Sequence, residues 1–221
     1  MNDVAANITK IKQEIPSEVT LIAVSKTKPL NMLEQAYACG IRDFGENKVQ
    51  ELCTKQLMMP ADVRWHLIGH LQSNKVKYIA PFIHLIHSVD SWKLLQEINK
   101  QATKNNRTIN CLLQVYIASE ETKFGLDKTE LMEILMHKEL GSLLNIKIKG
   151  LMGMASNTDE EAVIRSEFRR LKCLYDELCA QSFMQTSMDT LSMGMSGDYK
   201  LAIAEGSTMI RVGSHIFGSR S

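Results

Sequence analysis

The sequence predicts a closed (β/α)8 barrel. Three observations carry that expectation. Short apolar segments rich in branched residues alternate with helical patterns along the whole chain, which implies a parallel sheet flanked by helices. The strand candidates number eight, enough to close such a barrel. The turn after the first strand reads Ser25-Lys26-Thr27-Lys28-Pro29 and lacks the glycines of an open dinucleotide-binding sheet.

The elements follow in order. Strands are expected at Val19–Ser25, Ile41–Phe44, Arg64–Ile68, Ile83–Ser88, Ile109–Ile117, Ile146–Met152, Thr190–Met193 and Met209–Val212. Helical spacing covers Leu30–Cys39, Asn47–Met58, Asn74–Ile79, Trp92–Asn105, Lys128–Leu140, Asp159–Gln181 and Tyr199–Glu205. The clearest helix sets Ile164, Phe168, Leu171, Tyr175 and Leu178 on one stripe, with Thr158 and Glu161 spaced as a capping box. No linker, repeat or low-complexity stretch divides residues 1–221, so one domain is expected.

Composition narrows the function classes. The chain has 221 residues, 44% hydrophobic and 23% charged, with formal net charge +1. That balance gives no electrostatic footprint for nucleic acid or an anionic membrane surface. The N-terminus lacks the apolar core of a signal peptide, and the stretch Tyr78–Val89 is too short and too interrupted to span a bilayer. Five cysteines at scattered spacings, with no CxxC pair, fit free thiols in a reducing cytoplasm. No Cys/His cluster has metal-ligand spacing.

In a barrel the chemistry gathers at the C-terminal ends of the strands. There the sequence offers Lys26, Glu46 with Asn47, His66, Ser88, Tyr116, Met152 with Gly153, Ser192 to Ser196, and Arg211 to Ser214. A lysine at a strand end is ordinarily a solvated surface group. When partly desolvated at a barrel mouth it loses its proton more readily and can condense with an aldehyde. The segments "SMGMS" and "RVGS" follow the last two strands, where barrels bind phosphate through glycine-rich backbone and hydroxyl donors. Arg211, inside an apolar strand, needs either a carboxylate or a ligand acceptor. An aldehyde-capturing lysine, a phosphate cradle and a buried arginine together suggest pyridoxal 5′-phosphate (PLP). Glu46 and Asn47 could equally cap the next helix, His66 reads as a hydrogen-bonded core histidine, and Met152 and Met154 read as barrel packing.

The segments "AVSKTKP", "DFGENKVQEL", "WHLIGHLQSNK", "HSVDS", "KGLMGMA", "LSMGMSGD" and "GSTMIRVGSHIFG" together resemble the pyridoxal-phosphate homeostasis protein family, in order and over almost the whole chain. The resemblance implies a fold-type III PLP barrel similar to the N-terminal domain of alanine racemases. It implies that Lys26 holds PLP as an aldimine and that Arg211 faces the pyridine nitrogen. It also implies that Ser192, Gly213 and Ser214 contact the phosphate, with Met193 (through its backbone) and Ser196 in the same set, and that Asn47 lies near the cofactor. Tyr116 stands where the family has asparagine. The run Ala118-Ser119-Glu120-Glu121 replaces a glycine-containing one, whereas Lys123 and Gly125 are retained.

The function implied is PLP homeostasis without catalytic turnover; apo-PLP enzymes are candidate recipients, and a cytoplasmic monomer is the default expectation. Racemisation needs acid/base groups on both faces of the substrate carbon, and the sequence is expected to lack the second domain that serves one face in alanine racemases. A PLP-dependent racemase-like enzyme is the alternative. A class I aldolase-type barrel is a further rival, disfavoured because Lys26 lies on the first strand.

Overall fold

The strand Met209–Val212 runs parallel to Thr20–Val24, with Arg211 opposite Ile22, and this pairing closes the sheet. The structure is a computed structural model that describes residues 3–118 and 125–218. Eight parallel strands pair in chain order: β1 (Thr20–Val24), β2 (Asp43–Glu46), β3 (Arg64–Leu67), β4 (Leu85–Val89), β5 (Ile109–Gln114), β6 (Ile146–Met152), β7 (Thr186–Met195) and β8 (Met209–Val212). Around them lie α1 (Val4–Glu14), α2 (Leu30–Ala38), α3 (Val49–Gln56), α4 (Val76–Ile79), α5 (Trp92–Lys104), α6 (Lys128–Leu135), α7 (Glu161–Cys179), α8 (Tyr199–Ala204) and α9 (Ser214–Phe217). Among these residues no helix is long and apolar enough to cross a membrane.

The two faces of each strand serve two separate apolar cores, which is why the strands read as continuous hydrophobic runs. Ile22, Leu85, Leu112, Met152 and Met209 fill the barrel interior. The alternate residues, such as Leu21, Ala23, Phe44 and Ile86, pack outward against the helices. From α7 the full expected stripe is buried, Phe168 and Leu171 completely. Burying one such side chain contributes roughly 1.5–3 kcal/mol.

Several boundaries differ from the sequence expectation. Helix α1 precedes the first expected element; Asp3 caps it through the Ala6 N–H at 3.0 Å, and Val4, Ile8 and Ile11 form its buried face. The expected capping box at Thr158 and Glu161 does not form. The hydroxyl of Thr158 accepts from the Glu160 N–H at 3.2 Å in the preceding turn, and α7 starts at Glu161. A capping box occurs instead at α6, between Asp127 and Glu130. Neither Glu46 nor Asn47 caps α3, whose preceding residue is Lys48.

Candidate functional site

Lys26 continues the inward face of β1, two residues past Val24 and four past Ile22, and so meets the barrel mouth half-buried. Both neighbours of Lys26 are clamped from β2 and α3. The Ser25 hydroxyl donates to Glu46 Oε1 at 2.6 Å, and the Ser25 carbonyl accepts from Lys55 Nζ at 2.7 Å. Thr27, with φ +63°, donates its N–H to Glu51 at 2.6 Å. A left-handed threonine is disfavoured by about 1–2 kcal/mol, so this bond helps hold a turn the residue would otherwise avoid. Lys55 completes the clamp with ion pairs to Glu46 at 2.8 Å and Glu51 at 2.7 Å. Burial raises the Glu46 carboxyl above its usual range, although Lys55 and Ser25 oppose the shift. Its second oxygen, Oε2, has no hydrogen-bond partner among the described residues.

Arg211 is buried on the inward face of β8. One guanidinium nitrogen donates to Ser192 Oγ at 2.7 Å and another to the Gly153 carbonyl at 3.0 Å. Two of the five guanidinium donors are thereby engaged. Burial pulls its pKa down to about 10, against the attraction of Asp198, so it remains charged at neutral pH.

The cradle after β7 depends on a register shift. Opposite β8, Ser192 pairs with Met209 but Met195 pairs with Arg211, three residues against two. Gly194 absorbs the extra residue with φ +95°; a side chain there would lie 2.6 Å from the Ala202 Cβ. The Ser196 hydroxyl then accepts from the N–H groups of Gly213 at 3.1 Å and His215 at 3.5 Å. Gly213 is closely approached: an added Cβ would lie 3.2 Å from the Val24 carbonyl oxygen, tight enough that the neighbour would have to give.

A cavity of about 360 Å³ joins these parts. Lys26, Asn47, Ser196, Arg211, Gly213 and Ser214 all line it. Ser192 and Met193 do not. Ser192 lies beneath the floor on Arg211, and Met193 packs outward, because the shift at Gly194 carries β7 two residues past its expected end. Met195, Lys28, Ile68 and Met154 also line the cavity without having been singled out for it. Met152 packs the interior as expected, but Met154 faces the cavity and is 39% exposed. Tyr116 lines a different groove with Lys128 and Arg170. Ser119–Glu121 and Lys123 lie outside the described residues. An interior-facing lysine, a charged guanidinium and backbone donors around one cavity fit a group that carries an aldehyde, a ring acceptor and a phosphate.

Such a barrel, with a lysine just past its first strand and an arginine on its last lining one cavity, belongs to the class of alanine racemase N-terminal domains. The family described as "Alanine racemase, N-terminal domain" matches residues 1–221. The chain belongs to the pyridoxal phosphate homeostasis protein family. It is 40% identical to the protein of that name from Aquifex aeolicus, over 90% of this chain and 86% of that one. With the Pseudomonas aeruginosa protein it shares 37% identity over 100% and 97% of the two chains. The structure of PipY from Synechococcus elongatus PCC7942 with PLP bound superposes with a TM-score of 0.88 at 38% identity, covering 97% of this chain and all (100%) of that one. Alanine racemase from Bartonella henselae shares the fold, with a TM-score of 0.75 at 18% identity, over 99% of this chain and 60% of that one.

Proposed function

We propose that residues 1–221 form one PLP-binding barrel domain, acting as a cytoplasmic monomer, that stores the cofactor and passes it to apo-PLP enzymes. The observation that carries the reading is the meeting of Lys26, Arg211 and the Ser196–Gly213 cradle around one cavity. The PLP-bound state of a 38% identical relative supports it. In this reading Lys26 holds PLP as an aldimine and Arg211 faces the pyridine nitrogen. Ser196, Gly213 and Ser214 hold the phosphate, and Asn47 lies beside the cofactor. Ser192 acts from below, through Arg211.

Storage without turnover fits the lining. Among the described residues no Asp, Glu, His, Tyr or Cys lines the cavity, and the ionisable side chains there besides Lys26 are Lys28 and Arg211. Arg211 also leaves the ring nitrogen an acceptor, which weakens the ring as an electron sink. Borohydride reduction of the PLP-loaded protein, followed by peptide mass mapping, should place a pyridoxyl group on the Lys26 peptide. A label confined to another lysine would refute the assignment. Lys26-dependent racemisation of alanine or serine, faster than by free PLP, would favour the enzyme instead.

A further inference from the structure

Inside a (β/α)8 barrel the layers are dominated by bulky branched side chains. Here polar side chains from five strands replace them along one line. Arg64, at the start of β3, donates to both oxygens of Asp43, through Nε at 2.7 Å. Asp43 lies 3.0 Å from His66 Nε2, and His66 Nδ1 lies 3.0 Å from His87 Nε2. His87 Nδ1 lies 3.1 Å from Ser192 Oγ, which accepts from Arg211 at 2.7 Å. The line runs from the partly exposed Arg64 at the strand starts to the cofactor pocket at the strand ends.

Only one arrangement of protons with neutral rings satisfies every member. Burial opposes ionisation of Asp43, but hydrogen bonds from Arg64 and His66 hold its carboxyl well below the usual range, so it can only accept. His66 must therefore carry its proton on Nε2 and accept at Nδ1. His87 must then donate from Nε2 and accept at Nδ1. The Ser192 hydroxyl spends its single hydrogen on His87 and turns its lone pairs to Arg211. Burial, with the like charge of Arg211 added, keeps His87 neutral. The charged or titratable groups facing the two rings are Asp43, Arg64, His84 and Arg211, with Asp198 opposite Arg211.

We propose that Asp43, His66, His87 and Ser192 are positioning residues that fix the Arg211 guanidinium, and through it the electronic setting of the bound ring, from the far end of the barrel. The part concerning the ring rests on the PLP reading above. The polarity of the chain is what does this. Reversed, His87 would donate to Ser192, whose two lone pairs would be split between His87 and Arg211 and whose hydrogen would have no acceptor in the chain, while His66 would turn a bare Nε2 to the Asp43 carboxylate. The bond that anchors the guanidinium beneath the pocket would weaken.

The imidazole nitrogen resonances of the protein without added PLP test the polarity directly. Both His66 and His87 should carry a proton on Nε2, and an Nδ1–H signal from His87 would overturn the inference. His87→Phe and His87→Gln test the consequence, with circular dichroism checking that each folds. Loaded with PLP, His87→Phe should shift the visible absorbance maximum and its pH profile, and release PLP roughly fivefold faster, as loss of one ordinary hydrogen bond implies. His87→Gln, which offers one acceptor and one donor, should restore both. Wild-type spectrum and release in His87→Phe would refute the positioning role. Failure of the wild type to take up PLP would sink the pocket reading, while the nitrogen resonances would still decide the polarity of the chain.

Discussion

The Ser196 hydroxyl accepts a hydrogen bond from the Gly213 N–H at 3.1 Å and so ties the loop after β7 to the end of β8. Each loop alone is an ordinary glycine-containing turn. Joined, they present backbone donors and hydroxyls to one side of the cavity that Lys26 enters.

Gly213→Val should therefore separate phosphate binding from aldehyde capture. The new side chain would press on the Val24 carbonyl, 3.2 Å from its first carbon. Affinity for PLP should fall about tenfold or more, by the loss of at least one charge-assisted hydrogen bond. Affinity for pyridoxal, which has no phosphate, should change far less. Titrations with the two ligands check this, and equal losses would argue against the cradle.

Arg211→Glu should leave imine formation at Lys26 intact but move the visible spectrum towards a protonated pyridine. A carboxylate at the ring nitrogen favours its protonated form, whereas the arginine disfavours it. PLP retention should weaken by roughly 1.5–3 kcal/mol if the lost contact behaves as a hydrogen bond to a charged group. Unchanged spectrum and affinity would make Arg211 a structural residue held by Ser192 and Gly153.

Lys55→Met should destabilise the fold by about 3–5 kcal/mol, because it leaves Glu46 buried without its counter-ion. Adding Glu46→Gln should recover part of the loss, which chemical denaturation would measure. The single substitution should also slow PLP capture, since Lys55 and the two glutamates hold the residues on both sides of Lys26. Capture at the wild-type rate would show that the turn holds itself.

Acid should weaken the fold through His87. Its folded pKa is pushed well below the ordinary value by burial, so it stays neutral while the unfolded chain takes up a proton below about pH 6.5. The unfolded state then binds more protons, and stability falls as pH falls. The slope from this one group is about 1.4 kcal/mol per pH unit. His87→Gln removes that contribution, so its stability should fall less steeply than wild type between pH 6.5 and the start of carboxylate titration at about pH 4. Parallel acid limbs in denaturation measured across pH would contradict this.

The architecture was legible in the sequence because each element carries a local signal. Strand-length apolar runs fix the eight strands, and the stripe from Ile164 to Leu178 fixes the longest helix. Lys26 and Arg211 stood out for the same reason, as single polar residues in or just past apolar strands. What failed was local too: a capping box at Thr158 and Glu161 depends on where the chain turns, and the turn falls two residues later.

The sequence by itself determined a closed (β/α)8 barrel with a lysine at the mouth of its first strand and glycine-rich loops after its last two. Only the tertiary structure decided which residues meet the pocket. One extra residue at Gly194 sets Ser192 below the floor and brings Ser196 to the rim, and a bulge is a property of two paired strands rather than of either alone. The line from Asp43 to Ser192 and the clamp of Lys55 on Ser25 were invisible for the same reason. Hydrogen bonds act over about 3 Å; closure of the barrel brings the His87 and Ser192 side chains, 105 residues apart, to that range, and the pairing of β1 with β2 brings the Lys55 ammonium to the Ser25 carbonyl, 30 residues away.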